Sequence, residues 1–154
     1  MKDKTTDIAT VTLEDIFPDN SSFVIKGLCE LEKYFFEHNA HPHRHDFYSI
    51  FWVREGKMTH IIDTIRHEGT KNTLFFLAPG QVHQMIFSNR VEGIVIAFPE
   101  TFICVREEEQ SIGLHADLFF NDQLFSILRV DEEMAPELEW ITQLMKKEAG
   151  RKEA

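Results

Sequence analysis

The sequence predicts a mainly β fold, a small barrel of short antiparallel strands followed by C-terminal helices. Three observations carry this. Short apolar runs recur between turn residues from Phe23 to Phe98. The runs are too short and too often interrupted for helices, and many short strands at regular spacing argue for a sandwich or barrel. A clear helical signature appears only near the end of the chain, from Pro136 onward.

Taken in order, residues 1–22 mix charges and threonines with the turn-like Pro18-Asp19-Asn20-Ser21-Ser22, and hold only a weak apolar cluster at Val11, Leu13, Ile16 and Phe17. They read as a loose N-terminal arm. A barrel over 23–105 follows, with strands expected at Phe23–Leu31, Phe47–Val53, Met58–Ile65, Thr73–Leu77, Val82–Phe87 and Gly93–Phe98. Arg54-Glu55-Gly56-Lys57 and Ser88-Asn89-Arg90 have the composition of hairpin turns, and Pro79-Gly80 is a strong breaker. Pro99 opens a short helix reaching toward Val105, ahead of the acidic run Glu107-Glu108-Glu109. Residues 106–154 form a linker and a helical segment. Leu124–Val130 fits an extended piece or a helical turn equally, since periodicity does not separate them. From Pro136 the pattern is helical, with Leu138, Ile141, Leu144 and Met145 read as one face, acidic residues at its start and lysines near its end.

At 154 residues the chain is one domain, long enough to bury roughly two thirds of its unfolded surface. The formal charge of -10, from 16 basic and 26 acidic residues, repels a phosphate backbone, so these residues are not expected to bind DNA themselves. Cys29 and Cys104 lack any paired spacing and read as ordinary buried thiols in a reducing compartment. With no apolar run near the roughly 18 residues of a membrane span and no signal-like start, a cytoplasmic location and no membrane partner are expected. Fourteen phenylalanines against two tyrosines suit a dry interior or an apolar cavity.

The most informative stretch is His41-Pro42-His43-Arg44-His45-Asp46-Phe47-Tyr48-Ser49, continuing to Phe51 and the turn at Gly56. Alternate side chains of a strand share a face, so His43, His45, Phe47, Ser49 and Phe51 point one way and Arg44, Asp46, Tyr48 and Ile50 the other. Two imidazoles so placed chelate one ion if a neighbouring strand adds a third, and His83, just past Pro79-Gly80, is the candidate. Met85 and Phe87 follow His83 in parity and join the pocket wall. His60 shares a face with Met58 and Ile62 and extends that wall, although a hairpin histidine is more commonly part-exposed. His38, His41, His67 and His115 have no evident partners.

The spaced set His43, His45 and Gly56, then Gly69, Pro79, Gly80 and His83, resembles the two motifs of the cupin superfamily over roughly residues 23–98. The resemblance implies a double-stranded β-helix barrel. It also implies a metal site, which the cupin pattern completes with a glutamate four residues after the second histidine. Here that position is Ser49, which weakens the site but leaves three neutral imidazoles able to hold zinc, nickel or iron.

More closely, Pro42 to Tyr48, the run from Leu74 to His83 and the tail Leu118-Phe119-Phe120 resemble the N-terminal effector domain of AraC-type transcription regulators. This implies a small-molecule effector held by His43, His45, Phe47, Ser49, Phe51, His60, His83, Met85 and Phe87, with no cofactor required. It further implies a homodimer through Leu138, Trp140, Ile141, Leu144 and Met145, and DNA contact only through a helix-turn-helix domain that this chain, stopping at Ala154, does not carry. On that reading the domain is not an enzyme. Two alternatives stand beside it: a metal-dependent cupin oxygenase or isomerase using the three histidines, and a free-standing small-metabolite or carbohydrate binding module.

Overall fold

The computed structural model describes residues 8–18, 22–31, 41–87, 90–103 and 127–151. In chain order the elements are β1 (Thr10–Val11), α1 (Leu13–Ile16), β2 (Val24–Gly27) with a 3-10 turn at Leu28–Leu31, β3 (Arg44–His45), β4 (Tyr48–Glu55), β5 (Met58–Ile62), β6 (Ile65–Gly69), β7 (Thr73–Leu77), β8 (His83–Phe87), β9 (Glu92–Phe98), α2 (Glu100–Ile103), β10 (Ile127–Arg129) and α3 (Ala135–Arg151). Five strands pair in the order β10-β7-β4-β9-β2 and three in the order β6-β5-β8. The two sheets face each other across one core that draws Phe51, Val53, Phe75, Leu77 and Val95 from the larger sheet and Met58, Ile62 and Met85 from the smaller. This is a cupin-type barrel with a C-terminal helix packed on the outside of the larger sheet.

Strand parity explains the layers. On β4, Ser49, Phe51 and Val53 turn inward and are fully or almost fully buried. Tyr48 and Trp52 turn outward yet are also buried, because the outer face is covered too. Trp52, Ile25 and Ile94 meet Leu138, Met145 and Ala149 of α3 there, and the Arg54 guanidinium pairs with Glu139 while lying 5.3 Å from the Trp52 ring. At the hairpin between β4 and β5, Gly56 holds φ +91°, and a Cβ there would come within 2.5 Å of the Arg90 carbonyl.

Several expectations are corrected. The run Met58–Ile65 is not one strand: Asp63 (φ 47°) and Thr64 (φ 72°) form a tight turn, and the chain returns as β6. Phe23–Leu31 is a strand only as far as Gly27. Residues 8–18 of the expected loose arm are anchored: β1 runs parallel to β3, Thr12 and Asp15 form a reciprocal capping box, and Leu13 and Phe17 are buried in the barrel core. Cys29 is exposed rather than buried. Ile127–Arg129 settles as a strand paired with β7.

The helical face is also redrawn. Leu138, Thr142, Met145 and Ala149 span about 60° of arc at 100° per residue, and this stripe meets the sheet. Trp140, Ile141 and Leu144 are exposed at 64%, 49% and 48%, so the expected single face is divided between two sides. Cys104, the Ser88-Asn89 part of the expected turn, the acidic run and the Leu118-Phe119-Phe120 tail lie outside the described residues. Among the described residues no helix is long and apolar enough to cross a membrane.

Candidate functional site: a buried histidine cluster

Backbone pairing brings the cluster together before any side chain is considered. His43 and His83 form an antiparallel bridge in which each N–H donates to the other's carbonyl, at 3.0 and 2.9 Å. The Gly80 N–H, released by the Pro79-Gly80 turn, donates to the His45 carbonyl at 2.9 Å. That turn is itself tied down, since Ala78 N–H donates to Gln81 Oε1 at 2.8 Å and the Gln81 amide donates to Asp63 at 2.9 Å. The proline, glycine and histidine spacing seen in the sequence is therefore a device for setting His83 against His43 and His45.

The rings converge on one point. His43 Nε2 lies 3.1 Å from His45 Nε2, and His45 Nε2 lies 3.3 Å from His83 Nε2. All three residues are at most 5% exposed. On its far side His43 Nδ1 donates to the His41 carbonyl at 2.8 Å, which makes His43 Nε2 the unprotonated ring nitrogen, an acceptor facing His45 Nε2. His60, fully buried on β5, brings its Nε2 within 3.0 Å of His83 Nδ1. His60, expected on the pocket wall although hairpin histidines are more commonly part-exposed, is sealed in, because β5 is the central strand of its sheet.

Burial dominates the electrostatics. Desolvation, reinforced by the neighbouring imidazoles, holds His45 and His83 well below the ordinary histidine range, and burial pushes His60 down to about 3. Burial thus favours the neutral form of His45, His60 and His83, the state in which imidazole ligates a metal. A tetrahedral ion bound at about 2.0–2.1 Å separates its nitrogen donors by about 3.3 Å. The two Nε2 separations match that spacing, and the donor atoms of His43, His45 and His83 all lie within 4.8 Å of one another. The residues present thus fit zinc, nickel or iron.

Every expected pocket residue except Phe87 is buried on the inner side of the barrel. Phe47 stacks on His45 with centroids 4.3 Å apart. Phe51 meets His60 edge-on at 5.7 Å, Met85 stands opposite His60 in the strand register, and Phe87 is half-buried at the core's margin. Phe75, also edge-on to His60 at 4.9 Å, was not anticipated, although the parity of Thr73, Phe75 and Leu77 on β7 carries that signal. Among the described residues, three polar atoms of the inner wall have no hydrogen-bond partner: Ser49 Oγ, His45 Nδ1 and His60 Nδ1. Ser49 stands where the cupin pattern has its carboxylate, so the described wall offers a hydroxyl there instead. Leu138 and Met145, expected at a dimer surface, are placed against the sheet, leaving Trp140, Ile141 and Leu144 outside.

The family described as AraC-like ligand binding domain matches residues 26–154. No curated protein matches. Solved structures that match include the plu4264 protein of Photorhabdus luminescens, 17% identical over 53% of this chain and 57% of that one, with a TM-score of 0.36. They also include oxalate decarboxylase of Bacillus subtilis, 12% identical over 58% of this chain and 24% of that one, TM-score 0.37. A third is ToxT of Vibrio cholerae with unsaturated fatty acid bound, 11% identical over 80% of this chain and 47% of that one, TM-score 0.42. The chain thus spans little more than half the length of the first and smaller fractions of the others. These likenesses concern the fold alone.

Proposed function

Because the chain belongs to the AraC-like ligand binding domain family across residues 26–154, we propose that it senses a small-molecule effector inside the barrel and catalyses no reaction. The observation that carries this reading is the set of unpartnered polar atoms on the inner wall. Ser49 Oγ, His45 Nδ1 and His60 Nδ1 are buried among phenylalanines, and each such group costs about 1–3 kcal/mol when left unpaired. A ligand carrying one or two hydrogen-bonding groups on an apolar body recovers that cost, and the walls of Phe47, Phe51 and Met85 suit its remainder.

The effector's effect travels outward through β4 and α3. The exposed Trp140, Ile141 and Leu144 are the surface we assign to a second copy of the chain, and DNA contact in the cytoplasm belongs to a further helix-turn-helix domain. The test is a thermal-shift screen of a metabolite library. At least one compound should raise the Tm of the wild type but not of Ser49→Val, and should still raise that of Trp140→Ser. A stabilising compound indifferent to Ser49→Val and to barrel-filling Phe51→Trp would place the ligand elsewhere. Sedimentation should show a dimer that Trp140→Ser disrupts; a wild type that stays monomeric at high concentration overturns the dimer.

A second reading is favoured by the convergence of three Nε2 atoms: the triad holds zinc, nickel or iron. His43, His45 and His83 would be its ligands, and such an ion supplies Lewis acidity, the starting point for a cupin oxygenase or isomerase. Metal analysis of protein prepared without chelator decides it, with stoichiometric metal expected in the wild type and lost in His83→Ala.

A further inference from the structure

His60 stands outside the three-nitrogen cluster but touches it through one atom. It lies on β5, opposite Met85 of β8, so that His83 is its diagonal neighbour across the sheet. Side chains at such diagonal positions are within reach when they are long or aromatic. The His60 ring is gripped edge-on by Phe51 and Phe75, at interplanar angles of 89° and 65°. Its remaining freedom is small, and its Nε2 is aimed at His83 Nδ1.

We propose that His60 is a positioning residue for the histidine triad: it accepts the His83 Nδ1 proton and so fixes His83 in the tautomer whose Nε2 lone pair faces His43 and His45. The assignment rests on the metal reading above. It parallels what the His41 carbonyl does for His43, where an acceptor-only group holds the proton on Nδ1. Ligating histidines are ordinarily oriented in this way by a carboxylate, carbonyl or water. Here one of the two orienting groups is a fourth imidazole, buried as deeply as the ligands themselves. Without that acceptor His83 is free to carry its proton on Nε2, and a protonated Nε2 is not a donor to a metal.

The experiment uses cobalt(II) as the probe, titrated into metal-free protein and followed by visible absorption with a competing chelator. His60→Phe keeps the ring and removes the acceptor, whereas His60→Gln places an amide group near the former Nε2. Wild type and His60→Gln should bind cobalt alike, and His60→Phe should bind about 10–100-fold more weakly. Equal affinity of wild type and His60→Phe overturns the positioning role, as does an equal loss in both variants. Long-range proton–nitrogen correlation on the metal-free wild type gives a readout independent of any variant's folding: His83 should be protonated on Nδ1, and protonation on Nε2 overturns the proposal. A wild type that binds no cobalt removes the metal reading itself, an outcome distinct from each of these.

Discussion

On its inner face β4 carries Ser49, Phe51 and Val53 into the barrel; on its outer face it carries Trp52 and Arg54 beneath α3. Both surfaces are covered, and they are treated differently. Outside, an apolar stripe of Leu138, Met145 and Ala149 seals the contact and the Arg54–Glu139 pair closes its rim, with the Trp52 indole N–H the one buried polar side-chain atom of β4 there without a partner. Inside, polar atoms accumulate without partners in and beside four closely packed imidazoles. Stability alone favours the outer solution. The inner one retains groups that cost stability, as the effector binding proposed above requires.

That contrast can be broken experimentally, beginning with the largest effect. The inner face should fail in acid. Below about pH 6.5 the unfolded chain takes up protons on His45, His60 and His83, while burial keeps the folded chain from doing so. These histidines therefore contribute stability above their unfolded pKa that is lost as pH falls, by up to about 1.4 kcal/mol per pH unit each. The loss continues toward the folded value, about 3 for His60. Urea midpoints measured at pH 7, 6 and 5 should drop steeply, and a flat series means that the imidazoles are charged or open to solvent.

On the outer face, Trp52→Ala removes the residue on which α3 rests and should cost about 3–5 kcal/mol in chemical denaturation. A cost under about 1 kcal/mol would mean that the helix is not docked as described. Back inside, Ser49→Val should act with the opposite sign. Deleting a hydroxyl that has no partner should stabilise the empty protein by about 1 kcal/mol while weakening effector binding. Destabilisation instead would reveal a partner for Ser49. Smallest is Arg54→Ala, expected to cost less than about 1 kcal/mol because the ion pair is part-exposed.

Much of the site was legible in advance because strand parity has a period of two and the histidines obey it. His43, His45, Phe47, Ser49 and Phe51 all face inward, with Arg44 and Asp46 exposed between them. Other features were hidden for physical reasons. The β5–β6 hairpin turns on Asp63-Thr64, both left-handed, without the glycine that usually marks such a turn. The burial of His60 depends on β5 being flanked by two strands, a fact of pairing and not of local sequence. Helix α3 carries apolar residues on both sides, so periodicity alone did not say that Leu138 and Met145 face the sheet while Trp140, Ile141 and Leu144 do not. Leu13 and Phe17 of the arm looked too sparse to matter, yet both are buried in the barrel core, with Ile16 packed against it.

The placement of the chain's two tryptophans gives the protein a built-in optical gauge. Trp52 is sealed between sheet and helix, one residue along the strand from Phe51 of the barrel wall, and Trp140 is in water on the helix's far side. In Trp140→Phe the remaining indole emits from the joint between pocket and helix. Its emission colour and its quenching by acrylamide then report, in solution and without a label, whether filling the barrel tightens that joint or pries it open.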